Sequence, residues 1–251
     1  MSTKQTTAIQ VTVRGDIPDP DRDYAVHKIE SVLLLAHAPV LSAHLVLSLD
    51  GEHALDHRAH IEIGLDVNGT PIRAKIAAAG VLEAADLVQE RLRRRLTHVR
   101  DRIRTRARWT NITGEPRRLP TTPPRPRSDS VLRAAENREV VRRKTFAVHA
   151  MTVPEAVDEM ALLDHDFYLF TDLDTGADEV LCRTSPPSPE QNPADDEYVL
   201  LADPPTLTEE LARERLEVGG ETLVFYRDPG DGRGRVLYQR RHANYGLITP
   251  S

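Results

Sequence analysis

The feature that most constrains this chain is an internal repeat in its C-terminal part. Thr152-Val-Pro-Glu-Ala-Val, followed by Leu169-Phe170 and Val180-Leu181, matches Thr206-Leu-Thr-Glu-Glu-Leu with Val224-Phe225 and Val236-Leu237, an offset of about 55 residues. Each copy reads as strand, capped helix, strand, turn, strand. Thr152 and Thr206 or Thr208 are N-cap candidates, and Asp174-Thr-Gly176 and Asp228-Pro-Gly230-Asp-Gly232 supply hairpin turns. The copies span 141–184 and 198–251, joined by the proline-containing tether Ser185–Glu197. With 251 residues, 39% apolar and only 4% aromatic, the chain favours two or three small domains over one large core.

Ahead of the repeat, the patterns describe a different unit. Residues 8–15 alternate apolar and polar positions and end at Gly15, Pro18 and Pro20, as a first strand would. From Asp21 the spacing turns helical, with Tyr24, Ile29, Val32 and Leu33 on one side and Pro39 beyond the end. Val40–Leu49, Ala59–Val67 and Pro71–Ala77 then repeat with period two, and Asn68-Gly69 turns the last pair. Val81–Arg108 follows, with Leu82, Ala85, Val88, Leu92, Leu96, Val99 and Ile103 in steps of three and four. The expectation for 8–108 is a β-α-β-β-β-α domain, a four-stranded sheet with two helices on one face. A Pro/Arg-rich linker over 109–140 leads to two tandem β-α-β-β(-β) modules, so the fold class is α+β.

Charge is distributed unevenly. Formal charge is −3 over residues 1–80, +10 over 81–144 and −13 over 145–251, so the net −6 conceals one surface suited to a polyanion and another that repels it. Around the second long helix, Arg91, Arg95, His98 and Arg102 fall along one flank, Arg93, Arg100 and Arg104 along the other, and Arg94 points outward. Guanidinium forks match phosphate oxygens and stay charged, so these rows favour nucleic acid, read by shape and backbone. A solvated charged face is the plainer alternative. Only Trp109 is near enough to stack on a base, which argues against single-strand stacking as the main mode.

Other chemistry finds little support. Glu52, His53, Asp56, His57 and His60 form a cluster that reads as a polar loop, and no metal or cofactor is expected. Cys182, the single cysteine, makes no internal disulfide and reads as a buried, inert thiol. Gly230, Gly232 and Gly234 do not open a helix and read as turn glycines. There is no nucleophile–base pair, so an enzyme is not expected. Neither an apolar span nor a secretory signal is readable, which places the expectation in the cytoplasm, away from membranes and small-molecule substrates.

The chain resembles the long-form bacterial ribosome hibernation promoting factors, also described as ribosome-associated translation inhibitors. In the N-terminal half the resemblance lies in Val13-Arg14-Gly15, Tyr24 to Lys28, Gly69-Thr-Pro-Ile-Arg-Ala-Lys75 and the basic stretch Asp86–Arg102. In the C-terminal half it lies in Lys144-Thr-Phe-Ala-Val-His-Ala-Met151, Glu155-Ala156, Met160, Leu162-Leu163, His165-Asp-Phe-Tyr-Leu-Phe170 and Tyr245-Gly-Leu-Ile248. The resemblance implies a protein that silences translation from the decoding region of the small subunit. It implies contacts to 16S rRNA from Arg14, Lys28, Arg73, Lys75, Arg91, Arg94, Arg95, His98 and Arg102.

One departure from the family stands out. The usual long form has one C-terminal module, which homodimerises and joins two ribosomes. Here the first copy ends at Cys182-Arg183-Thr184 without a Tyr-Gly-Leu-Ile strand, and the second has Tyr238-Gln-Arg-Arg and Tyr245-Gly-Leu-Ile but little of the first signature. The expectation is an intrachain pseudo-dimer paired through Phe146, Met160, Phe167 and Phe170 of one copy and Phe225, Tyr238, Tyr245 and Leu247 of the other. Such a chain would be a monomer that holds single 70S ribosomes, its acidic modules facing basic ribosomal proteins. Chain-to-chain dimers giving 100S particles, a general RNA-binding regulator and a pure protein adaptor are the alternatives.

Overall fold

The computed structural model describes residues 7–50, 58–105, 117–120, 139–146, 149–184, 197–219, 221–240 and 244–251. The chain forms two compact units: residues 1–112 with 161–165 and 187–195, and residues 113–160, 166–186 and 196–251. Among the described residues no helix is long and apolar enough to cross a membrane, and no group of three metal-ligating side chains occurs.

The first unit carries β1 (Ile9–Arg14), α1 (Asp19–Leu33), β2 (Val40–Leu49), β3 (Ala59–Val67), β4 (Thr70–Ala78) and α2 (Val81–Thr105), in the expected order. Its sheet runs β1-β2-β3-β4, with β1 parallel to β2 and the other pairs antiparallel. The β3–β4 hairpin closes on Asn68 and Gly69, both at positive φ (52° and 85°), the conformation a two-residue type I′ turn requires. Burial alternates strictly along β3: Ala59, Ile61, Ile63, Leu65 and Val67 are buried under the helices. Their neighbours His60, Glu62, Gly64 and Asp66 line the opposite, helix-free face. On α2 the buried stripe is Val81, Ala84, Ala85, Val88, Leu92, Leu96 and Val99. Leu82, assigned to that stripe from spacing, is 48% exposed, because it lies roughly 80° around the helix from Leu92 while Val81 lies nearly in line with it. Residues 106–108, expected to extend α2, lie outside the described residues.

The second unit is made of β5 (Arg117–Pro120), β6 (Val140–Phe146), β7 (Ala150–Met151), α3 (Val153–Leu162), β8 (Phe167–Asp172), β9 (Asp178–Arg183), β10 (Tyr198–Ala202), α4 (Glu209–Gly219), β11 (Leu223–Arg227), β12 (Gly234–Gln239) and β13 (Tyr245–Pro250). Two sheets result, β5-β10-β9-β8-β7 and β11-β12-β13-β6. The hairpins β8–β9 and β11–β12 share one register, with Leu169 opposite Val180 and Phe225 opposite Val236. The repeat is therefore offset by one residue from the expected match on this strand: Leu169-Phe170 corresponds to Phe225-Tyr226. A one-residue slip exchanges the faces of every side chain on a strand, so the correction matters for what packs where.

Two further differences concern the module boundaries. Tyr198–Ala202, expected to open the second copy, pairs antiparallel with β9 and completes the first sheet, in the place that Tyr245–Pro250 holds beside β12. Tyr198-Val-Leu-Leu is thus the counterpart of Tyr245-Gly-Leu-Ile, and the first copy does not end at Thr184. Conversely, β6, the first strand of copy one, lies parallel on β13 in the other copy's sheet. There Arg143 donates to both carboxylate oxygens of Glu209 at the start of α4, each at 2.7 Å. The expected linker 109–140 contains β5, and the tether positions 185–196 lie outside the described residues.

Local chemistry explains the helix starts. Glu155 accepts from the backbone N–H and the hydroxyl of Thr152, both at 2.9 Å, the returning half of a capping box ahead of α3. At α4 the cap is Thr208, whose hydroxyl accepts the Leu211 N–H at 3.3 Å. Each helix packs on its own sheet. Ala156 and Met160 meet Phe170, Leu181 and Leu200 in one module, while Ala212 and Leu216 meet Tyr226, Leu237 and Leu247 in the other. The opposite faces of the two sheets share a third cluster, Leu169, Val180, Cys182 and Leu201 with Leu223, Phe225 and Val236.

Candidate nucleic-acid interface

The basic residues singled out from sequence all fall in the first unit, and the fold sorts them into three settings. Arg14, Arg73 and Lys75 stand on strands with their side chains on the helix-free face. On that face Thr12 Oγ1 and His44 Nε2 are 2.9 Å apart, His60 Nε2 meets Asp50 Oδ2 at 3.0 Å, and Arg73 approaches Glu62 at 3.6 Å. His53, Asp56 and His57 lie outside the described residues. Arg14 on β1 lies level with Ala77 on β4, so Arg73 is three strand spacings across and four residues along, roughly 20 Å in all, and the two do not form one cluster.

The second setting is the helical face. Lys28 on α1 binds Asp86 on α2 at 2.7 Å, and its ammonium lies 5.0 Å from the centre of the Tyr24 ring, whose hydroxyl donates to the same carboxylate at 2.9 Å. Hydrogen bonding to Asp86 and Tyr24 raises the Lys28 pKa, so the charge is secure. About one turn on, Glu90 accepts from Arg93 and from Arg94, each at 2.7 Å. Arg93 and then Arg94 hold the Glu90 carboxyl down to about 2. Both arginines keep exposed surface, so their charges reach solvent while their forks are pre-positioned. His98 is half-buried on α2, and the side chain of Arg102 lies outside what is described.

The third setting departs from expectation. Arg91 and Arg95, placed from sequence along one flank of the helix and among the rRNA contacts the resemblance implies, are buried at 5% and 2% exposure. Both donate to one oxygen of Asp164, at 2.5 and 2.8 Å. The other oxygen of Asp164 accepts the Lys75 backbone N–H at 2.6 Å, and the Lys75 ammonium reaches the Asp164 carbonyl at 3.4 Å. Sequence periodicity put the two arginines on one side of α2 correctly. It carried no sign that an acidic residue some seventy positions away would meet them. The one available signal was the position of Asp164 between Leu162-Leu163 and His165, an acid set in an apolar stretch. A carboxylate held by two guanidinium groups is the same recognition chemistry as a bound phosphate.

The residues expected to pair the modules divide between two faces. Phe167, Phe225 and Tyr238 belong to the cluster shared by the two sheets, with the Phe167 and Tyr238 rings 5.2 Å apart. Met160, on α3, and Phe170, Tyr245 and Leu247, on strands, pack between helix and sheet instead, each inside its own module. Phe146 has its backbone on β13, and its side chain lies outside what is described. The residues missed were smaller: Leu169, Val180, Leu201, Leu223, Val236 and Ile248. Cys182, singled out as inert, is one of this inter-sheet set, and burial pushes its thiol pKa up. Tyr238 fits because Gly246 opposite it has no side chain; a Cβ there would sit 2.4 Å from the ring. At the rim, Asp178 accepts from Arg233 and from the Gly234 N–H, both at 2.8 Å, joining one hairpin to the other. Burial alone would raise the Asp178 pKa; Arg233, Gly234 and Thr171 together outweigh it and hold the carboxyl below its ordinary value.

Comparison with known proteins locates this architecture. Residues 9–104 match the family described as Sigma 54 modulation protein / S30EA ribosomal protein, and residues 135–186 match the Sigma 54 modulation/S30EA ribosomal protein C terminus. The dormancy associated translation inhibitor of Mycobacterium tuberculosis (strain ATCC 25618 / H37Rv) is 32% identical over 212 residues, covering 76% of this chain and 70% of that protein. A ribosome hibernation promotion factor of Picosynechococcus is 30% identical over 164 residues, covering 63% of this chain and 82% of that one. Among solved structures, the Thermus thermophilus Protein Y N-terminal domain matches 36% of this chain and 97% of its own length, with 26% identity and a TM-score of 0.30. With both the N-terminal and the C-terminal family domains present in one chain, this protein belongs to the S30EA family in its long, ribosome hibernation promotion factor form.

Proposed function

We propose that this protein silences translation by occupying the decoding region of the small ribosomal subunit with its first unit, and that it holds ribosomes as inactive single 70S particles. Support for the first half comes from relatives named as a translation inhibitor and as a hibernation factor. The exposed Arg14 and Arg93 and the half-buried Lys28, Arg73 and Arg94 would meet 16S rRNA phosphates, with no bond made or broken. The observation that carries the second half is the apolar cluster between the two small sheets. A tethered partner has an effective concentration on the order of millimolar, which outcompetes a second chain at micromolar levels. With those faces used within the chain, none is left to couple two ribosomes. The modules, at −13 over 145–251, repel bare RNA and suit basic ribosomal proteins.

Pelleting with purified 30S subunits tests the interface, with free RNA of matched length as the competitor. The expected result is co-sedimentation that weakens steeply with salt and resists the competitor. Equal affinity for free RNA would favour a general RNA-binding regulator, and binding unaffected by salt or by Arg73→Glu with Arg94→Glu would favour a protein adaptor.

A further inference from the structure

The two small sheets are built alike strand for strand, which exposes an anomaly at one edge. β8, β9 and β10 correspond to β11, β12 and β13, and the short β7 on β8 corresponds to a bridge between Thr206 and Arg227 beside β11. The outermost places are held by β5 in one sheet and β6 in the other, each parallel to its neighbour. β6 reaches its place from just ahead of β7 and α3, crossing from its own module to the other's sheet. By the same logic the strand beyond β10 should come from just ahead of α4. None is available there: only Asp203-Pro204-Pro205 separate β10 from the Thr206 bridge, and two of those three lack an N–H.

β5 fills that place from the segment that composition marks as linker, and its register repeats that of β6. Arg117 and Arg118 stand opposite Val199 and Leu200; Arg142 and Arg143 stand opposite Gly246 and Leu247, the corresponding positions of β13. The same Arg-Arg doublet therefore meets the same two positions of the repeat. β5 also has the composition of an edge protector: it is short, twice charged, and ends in Pro120, which cannot donate to a further strand. The strand it covers is apolar, with Val199, Leu200 and Leu201 all buried, and an uncovered edge of this kind recruits another chain's strand.

We propose that Arg117–Pro120 is a replacement strand that closes the β10 edge in cis and so excludes the Val140–Phe146 strand of a second copy from it. This rests on the intrachain pairing proposed above and names the element that keeps it closed. Asp203-Pro-Pro205 leaves the second module no room for an exchangeable strand of its own ahead of Thr206, and the linker supplies the substitute.

The test uses the full chain with Arg117→Gly, Arg118→Ser, Leu119→Gly and Pro120→Ser, followed by light scattering from about 1 to about 100 μM. The wild type is expected at single-chain mass throughout, the variant to move to two-chain mass at the upper end, and a peptide of residues 115–122 in excess to restore single-chain mass. A variant that stays at single-chain mass overturns the proposal and leaves the intrachain pairing intact; a wild type already at two-chain mass overturns the pairing reading itself. Should the variant not fold, hydrogen exchange on the wild type decides. Amides of β10 that point toward β5 must exchange as slowly as those pointing toward β9, and exchange about tenfold or more faster, as at an open edge, overturns the proposal.

Discussion

The N-terminal sheet and the two C-terminal sheets treat their second faces in opposite ways. β3 alternates buried and half-exposed residues along its whole length, so one face packs on two helices and the other is left to His60, Glu62, Gly64 and Asp66. β9 and β11 bury four or five consecutive residues, because one face meets a helix and the other meets the second sheet. A sheet with a polar free face is a platform for a ligand; a sheet apolar on both faces needs a permanent partner. The first arrangement suits reversible binding to a polyanion and the second suits constitutive pairing.

A buried charge should break this contrast most sharply. Val236→Asp, at a fully buried position between the two sheets, is expected to destabilise the second unit by about 4 kcal/mol or more, whereas Val46→Asp on the free face of β2 should stay within about 1 kcal/mol. Thermal melts of the two variants check this, and equal losses would mean that the faces do not differ. Next in size, Asp164→Ala removes the carboxylate that holds Arg91 and Arg95, and is expected to destabilise the first unit by about 3 kcal/mol in urea unfolding.

Smaller effects sharpen the comparison on the functional side. Arg73→Ala and Arg94→Ala should each weaken 30S binding several-fold and lower the salt slope by about one counterion, while Arg143→Ala in the second unit should leave both unchanged. Acid provides the finest distinction. Asp178, held below its ordinary pKa, contributes stability above the unfolded carboxylate value near 4, and that contribution disappears as pH falls through the folded value. Asp178→Asn should remove this pH dependence with a loss of about 1 kcal/mol at neutral pH. Glu90 should titrate near 2 by carbon-detected NMR but, with its surroundings largely exposed, should move stability very little.

Much of this was legible in the chain. Period-two alternation in Ala59–Val67 and the three-four spacing of Val81–Val99 specify the first unit, because each strand or helix has one wet face and one dry one. The C-terminal patterns are less explicit for the same reason: a strand buried on both sides, such as Leu223–Arg227, shows no alternation, so its register slips by one residue in a pattern match. Strand exchange is not written locally at all. Tyr198-Val-Leu-Leu looks like the start of the second copy since it precedes that copy's helix, yet its partner is β9. At the interface, spacing gave the side of α2 on which Arg91 and Arg95 stand, but Asp164, which buries them, is joined only by the fold.

In the proposed function, one chain with internally paired modules silences one ribosome. Sedimentation of the purified protein with 70S ribosomes through a sucrose gradient, followed across the subunit, 70S and 100S fractions, tests it most directly. The prediction is protein in the 30S and 70S fractions with no new 100S peak. A 100S peak would contradict intrachain pairing as the means of holding single particles, and protein left at the top of the gradient would contradict ribosome binding itself.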